Sequence, residues 1–224
     1  MTRGILIAGN ESTLSAAIAA EAGKRAEHFC AAFIPNHLPY PVEYQQTTSA
    51  ANRQGLVPLA WNPGSPVSAR TLTLAAENHL GQITEAILVC TPPAVRKNAA
   101  DLNPANIEII VNDYIKGWFF LVKELAAVFK ARKAGVLALV LADTSGGGGR
   151  DDPDLIGPSV SASFHAFAQA LMASSQNEPY DVYGVAVPMG DDANAGAFVF
   201  KVIEEGRNAG KWHKFGSRLP FLGR

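Results

Sequence analysis

The side chains of this chain that are best suited to chemistry are a phenol, a hydroxyl-rich strand end and one helical imidazole. Tyr114 lies in a long apolar helical stretch and offers a proton donor. Asp143, Thr144 and Ser145 follow a strand-like run, and open α/β sheets place their sites at such carboxyl ends. Tyr114 and Ser145 are therefore the candidates for acid–base work. The alternative for Asp143-Thr144-Ser145 is a turn held by local hydrogen bonds. His165 falls in a second helical stretch, where a shift of one residue turns a side chain about 100° around the axis. It reads as a surface or interface histidine. No Ser-His-Asp spacing is present. His28, His37, His79, His165 and His213 make no metal-ligand pattern with Cys30 and Cys90, so no metal site is expected. Finally, Gly9 ends a strand-like segment just before a helix, an arrangement that can seat a phosphate on the helix N-terminus.

These residues need elements to hold them. Short β-type runs alternate with longer helical stretches along the whole chain, the pattern of a parallel sheet covered on both faces. Strands are expected at 5–8, 29–34, 55–59, 86–90, 135–142, 182–187 and 211–215. Helices are expected at 14–24, 68–80, 107–132, 159–174 and 195–206. In the third helix Ile110, Tyr114, Gly117, Leu121, Leu125 and Val128 recur at three- and four-residue intervals, and Trp118, Phe119 and Phe120 widen the apolar face. A surface that wide either covers a sheet and has apolar area left for a second molecule or is taken up wholly by core packing. Two stretches are punctuation: Pro35 to Pro41, too proline-rich for a regular element, and the glycine run from Ser145 to Pro153.

Composition removes several classes of function. The chain has 224 residues, 48% hydrophobic and 17% charged, enough for one sizeable core. A net charge of -1 gives no electrostatic reason to expect nucleic acid or an anionic membrane as partner. Its longest apolar run, 134–142, is about half of the ~20 residues that span a bilayer. Two cysteines within strand-like runs form no disulfide framework and read as reduced core residues. With no cleavable signal pattern ahead of the first strand, a soluble cytoplasmic protein is expected.

The motifs carry a resemblance. Ala8-Gly9-Asn10-Glu11-Ser12-Thr13-Leu14-Ser15 resembles the T-G-x-x-x-G-x-G turn of the short-chain dehydrogenase/reductase family, with Thr13 and Ser15 where its second and third glycines stand. Val160-Ser161-Ala162-Ser163-Phe164-His165-Ala166-Phe167 is similar to that family's Y-S-A-S-K-x-A-L, with Val160 for the Tyr and Phe164 for the Lys. Tyr114-Ile115-Lys116-Gly117 resembles its N-x-x-G segment, Tyr114 taking the place of the Asn. Leu139 to Ser145 resembles the strand that ends in the catalytic Ser; an ungapped comparison puts Ala142 there, and a small shift puts Thr144 or Ser145. Val187-Pro188-Met189-Gly190 resembles the P-G loop.

That resemblance implies a single domain over 1–224: an NAD(P)-binding Rossmann-type three-layer αβα sandwich on a doubly wound parallel sheet of about seven strands. It implies a cofactor, NAD or NADP, near Gly9, Asn10, Thr13, Leu14, Ser15, Asn62, Thr91 and Pro188. No acidic or basic residue follows the second strand to choose between the two. Several of these residues have plainer readings: Ser12 or Thr13 as a helix cap and Asn62 as a turn residue before Pro63-Gly64. In the family the Tyr gives a proton to a substrate carbonyl and the Lys lowers its pKa. Val160 and Phe164 can do neither. The resemblance therefore implies a non-catalytic or strongly diverged member, a nucleotide-binding or assembly subunit. The alternative is an active carbonyl or 3-oxoacyl reductase-like oxidoreductase with relocated acid–base residues. Family members associate through two long helices, here 107–132 and 159–174, which implies a homodimer or tetramer, or a hetero-oligomer with an active relative.

Overall fold

The central strands carry apolar residues on both of their faces, and that dictates a sheet buried on both sides. In the computed structural model, which describes residues 3–34, 55–93, 95, 99–143, 154–188 and 190–216, β1 (Ile5–Asn10) and β4 (Glu85–Cys90) are buried throughout. With β2 (Phe29–Ile34), β3 (Leu56–Pro58), β5 (Val136–Asp143), β6 (Asp181–Pro188) and β7 (Trp212–Lys214) they form one sheet in the order β3-β2-β1-β4-β5-β6-β7. Every pairing is parallel. The strand order reverses between β1 and β4. In open α/β sheets ligands bind in the crevice at the carboxyl ends of the strands flanking such a switch.

Side chains alternate across each strand and build two cores. Leu6 and Ala8 face α2 (Pro66–Leu80), α4 (Gly117–Arg132) and α5 (Ile156–Ser174). Ile5 and Ile7 face α1 (Thr13–Ala22) and α6 (Asp192–Glu205). The result is the expected three-layer sandwich.

Caps explain where helices begin. Ser65 and Asn103 accept the amides of Ser68 and Asn106, and Pro66 and Pro104 occupy the first turns, so α2 and α3 (Pro104–Val111) start earlier than periodicity alone indicates. The amides of Ile156 and Gly157 at the start of α5 donate to Asp154.

The largest departure from the sequence reading is the helix expected at 107–132. It is two α-helices, α3 and α4, joined by a π turn at Asn112–Lys116. The Gly117 amide bonds back to Asn112 across five residues. A methyl on Gly117 would lie 2.4 Å from Pro63 Cβ, so the contact demands a bare backbone. The π turn changes the carbonyl pattern, and Trp118 Nε1 donates to the Tyr114 carbonyl at 2.9 Å. π turns of this kind occur frequently at functional sites.

Candidate functional site at the carboxyl ends of β1 and β4

The turn from β1 into α1 is held by a chain of hydroxyl groups. Ser12 caps α1, its Oγ accepting the Ser15 amide at 3.1 Å. The Ser15 hydroxyl is 2.8 Å from Ser12 Oγ and donates to the Asn10 carbonyl. Thr91, one residue past β4, donates to Ser12 Oγ at 3.0 Å. The relay Thr91–Ser12–Ser15–Asn10 thus ties the ends of both switch-point strands to one helix N-terminus. Its members are neutral, and no carboxylate or imidazole hydrogen-bonds to these side chains among the described residues. The arrangement can hold and order polar groups. It supplies no base to make Ser12 or Ser15 a nucleophile.

The other residues of this turn divide by exposure. Leu14 is buried in the core beneath α1, while Glu11 and Thr13 are exposed. Asn10 is 4% exposed, and its Oδ1 has no hydrogen-bond partner among the described residues. Gly9 lies against β4: a Cβ there would meet the Val89 carbonyl oxygen at 2.1 Å. Its bareness serves the approach of the two central strands.

Asn62 stands apart from this relay. Its Oδ1 accepts the Gly64 amide at 3.0 Å and its own amide donates to Ser68 Oγ at 2.8 Å, a side-chain turn that leads into α2. Pro188 is the exposed last residue of β6, paired in register with Asp143 at the end of β5. Thr144, Ser145 and Met189 lie outside the described residues.

The positions in the π turn and on α5 that the family resemblance makes interesting are core. Tyr114 is 3% exposed, and Val160 and Phe164 are each 1% exposed. Ile156, Val160, Phe164, Ala168 and Met172 form the buried stripe of α5 at four-residue spacing. Phe164 meets Trp118 edge-on, with ring centroids 5.3 Å apart, and Trp118 leans on Trp61 at 5.7 Å. The place of Trp61 in this aromatic cluster follows from contacts that no local pattern encodes. His165 turns elsewhere and stacks face to face on Trp212 of β7, centroids 4.5 Å apart and planes 9° from parallel. It therefore does not join the switch-point relay. Cys30 and Cys90 are buried and unpaired, and burial pushes both thiols up, Cys30 to about 11, so neither is a ready thiolate. No group of metal-binding side chains occurs among the described residues, and none of their helices is long and apolar enough to cross a membrane.

No family model and no curated protein matches this chain. Solved structures do. Levodione reductase superimposes with a TM-score of 0.75 at 9% identity, covering 95% of each chain. A putative short-chain dehydrogenase/reductase from Burkholderia xenovorans gives 0.73 at 16% identity, covering 95% of this chain and 94% of its own. A short-chain dehydrogenase/reductase from Serratia marcescens gives 0.71 at 10% identity, covering 95% and 96%. Sequence identity is too low to carry function across, but backbone likeness over nearly the whole chain is enough for architecture: this is a Rossmann-type α/β protein with the short-chain dehydrogenase/reductase fold.

Proposed function

We propose that this chain is a short-chain-dehydrogenase-like protein without the Tyr/Lys reductase pair, acting as an assembly subunit rather than as a reductase. The observation that carries the reading is the state of Val160 and Phe164. Both lie on the buried stripe of α5, Phe164 is wedged against Trp118, and neither side chain has a proton to give. A missing general acid costs about 10²–10⁴-fold in rate. The same two helices offer the surface for assembly. Phe119 is 56% exposed and rests on Phe167 at 4.6 Å, with Val111 and Leu155 exposed as well. Ala162 and Ala166 on α5 are exposed and small enough for another helix to approach closely. The partner is a second copy of the chain, as a dimer or tetramer, or an active relative. A cytoplasmic setting accords with two unpaired cysteines.

Sedimentation velocity of the pure protein, alone and mixed with active relatives, tests this reading alongside NADH and NADPH oxidation with a panel of carbonyl substrates. Association without turnover is expected. A protein that stays monomeric in every mixture refutes the assembly role. Steady turnover refutes the loss of chemistry and favours the second reading, an oxidoreductase with relocated acid–base groups. One observation speaks for that alternative: the Tyr114 phenol sits in the π turn, in the same core cluster as Val160 and Phe164. If turnover occurs, its loss in Tyr114→Phe or Ser145→Ala assigns the role.

A further inference from the structure

A dinucleotide cradle needs three things at the first turn of this fold. It needs backbone without side chains, amides free to donate, and no negative charge beside the phosphates. The bare backbone and the neutral surroundings are missing here, and the amides are only partly free: those of Thr13 and Leu14 have no acceptor among the described residues, whereas others at the turn are occupied. The bare backbone of Gly9 is already used by β4, whose Val89 carbonyl fills the space of the absent side chain. Thr13, at the first helical position, projects an exposed β-branched side chain where a close phosphate approach requires none. The Glu11 amide donates to the Ile34 carbonyl at 2.9 Å, and the Ser15 amide donates to Ser12 Oγ. The Ser15 hydroxyl, 1% exposed, is spent on the Asn10 carbonyl and cannot replace a lost donor. The Glu11 carboxylate is exposed beside this turn. On the facing strand end, Pro92 and Pro93 have no amide proton to offer.

We infer that the N-terminus of α1 is closed to a dinucleotide by the chain's own side chains, with the Thr91–Ser12–Ser15–Asn10 relay holding β1, α1 and β4 together where a pyrophosphate would otherwise bridge them. The inference goes beyond the assembly role. A subunit could assemble and still carry nucleotide; this chain is assigned a closed site. The relay also explains why hydroxyl-bearing side chains stand at these places. Each of its three hydroxyls donates to a backbone or side-chain acceptor at the mouth of the crevice, so none of them has a proton left to donate to a ligand.

Calorimetric titration of the full chain with NADH and NADPH tests the closure. Wild type is expected to give no saturable heat at nucleotide concentrations on the order of 1 mM, whereas Thr13→Gly/Ser15→Gly is expected to gain at least about tenfold in affinity. Circular dichroism establishes that the double variant is folded. Should it not fold, Thr13→Gly alone replaces it, because that side chain is exposed and leaves the relay intact. Micromolar binding by wild type overturns the inference. Silence from wild type and from a folded glycine variant also overturns it, because the barrier then lies outside Thr13 and Ser15. The assembly reading is judged separately: nucleotide binding without turnover leaves it standing, while a persistent monomer defeats it whatever the titration shows.

Discussion

The two ends of the sheet are fastened by different chemistry. At the amino ends of the strands, Arg3 reaches Glu85 at the start of β4 and Glu204 on α6, while Arg25 binds Glu204 and Glu21. Both guanidinium groups lie over the Phe200 ring, 5.4 and 4.7 Å from its centroid. At the carboxyl ends there is the neutral relay of Thr91, Ser12 and Ser15. The first end concentrates charge and aromatic surface away from the switch-point crevice. The second has short polar side chains in the crevice itself, where a charged clamp would impose a field on any ligand. Ion pairing can be used freely at the end that takes no ligand, whereas at the ligand end of this fold β1, α1 and β4 are fastened by hydroxyl groups that carry no charge.

Removing Arg3 should have the largest effect. Arg3→Met leaves Glu85, whose side chain is 11% exposed, without its cation, and the expected loss is about 3 kcal/mol in denaturant unfolding. A loss under about 1 kcal/mol would reduce the clamp to an ordinary surface pair and break the contrast. Next comes Gly9→Ala, expected to cost about 2 kcal/mol because its new methyl meets the Val89 carbonyl. If that variant unfolds like wild type, Gly9 does not serve the sheet. Thr91→Val, which deletes one link of the relay, should cost about 1 kcal/mol. A cost equal to that of Arg3→Met would mean that the neutral end is the stronger fastening.

Acid should produce the smallest difference and act on one end only. The hydrogen bond from Arg3, together with that from Arg25, holds the Glu204 carboxyl below its ordinary range despite desolvation. At Glu21 burial favours the neutral form, but Lys24 and Arg25 outweigh it and the pKa is again lowered. A carboxylate whose pKa is lower in the folded state stabilises the protein above its unfolded pKa. That contribution is lost as pH falls from about 4.5 through the lowered values. Glu204 is 43% exposed, so solvent screens much of its share. Unfolding measured from pH 6 to pH 3 should therefore show a modest acid slope that Glu21→Gln/Glu204→Gln flattens and Thr91→Val leaves unchanged.

Most of the architecture was legible because each element carries its own local signal. Seven short β-type runs became seven strands, with β1 extending two residues further than expected to include Gly9 and Asn10. The cap at Ser12 and the turn at Asn62 could be read from single residues and their neighbours. The π turn could not. The apolar period continues on both sides of it, and the close approach of Gly117 to Pro63 at its end joins residues far apart in the chain. The relay was hidden for the same reason: Thr91 and Ser12 are 79 residues apart, and hydroxyl side chains have no signature that shows which partner they will meet. The facing of His165 was not legible either, because its stack on Trp212 depends on where β7 lies across from α5.

The π turn at Asn112–Lys116 also bears on how chain length can change over evolutionary time. A helix with a π turn contains one residue more than its length requires. Deleting that residue would restore a regular α-helix with its flanking side chains facing as they do, whereas regularising the turn with the residue kept would rotate everything ahead of it by about 100° relative to α4 and carry Ile110 away from the core. Related chains with and without the extra residue would then share a backbone path while their side chains fell out of step by one position. Tyr114 lies inside that slip, so the counterpart of its phenol in a chain of regular helix would be found one place along.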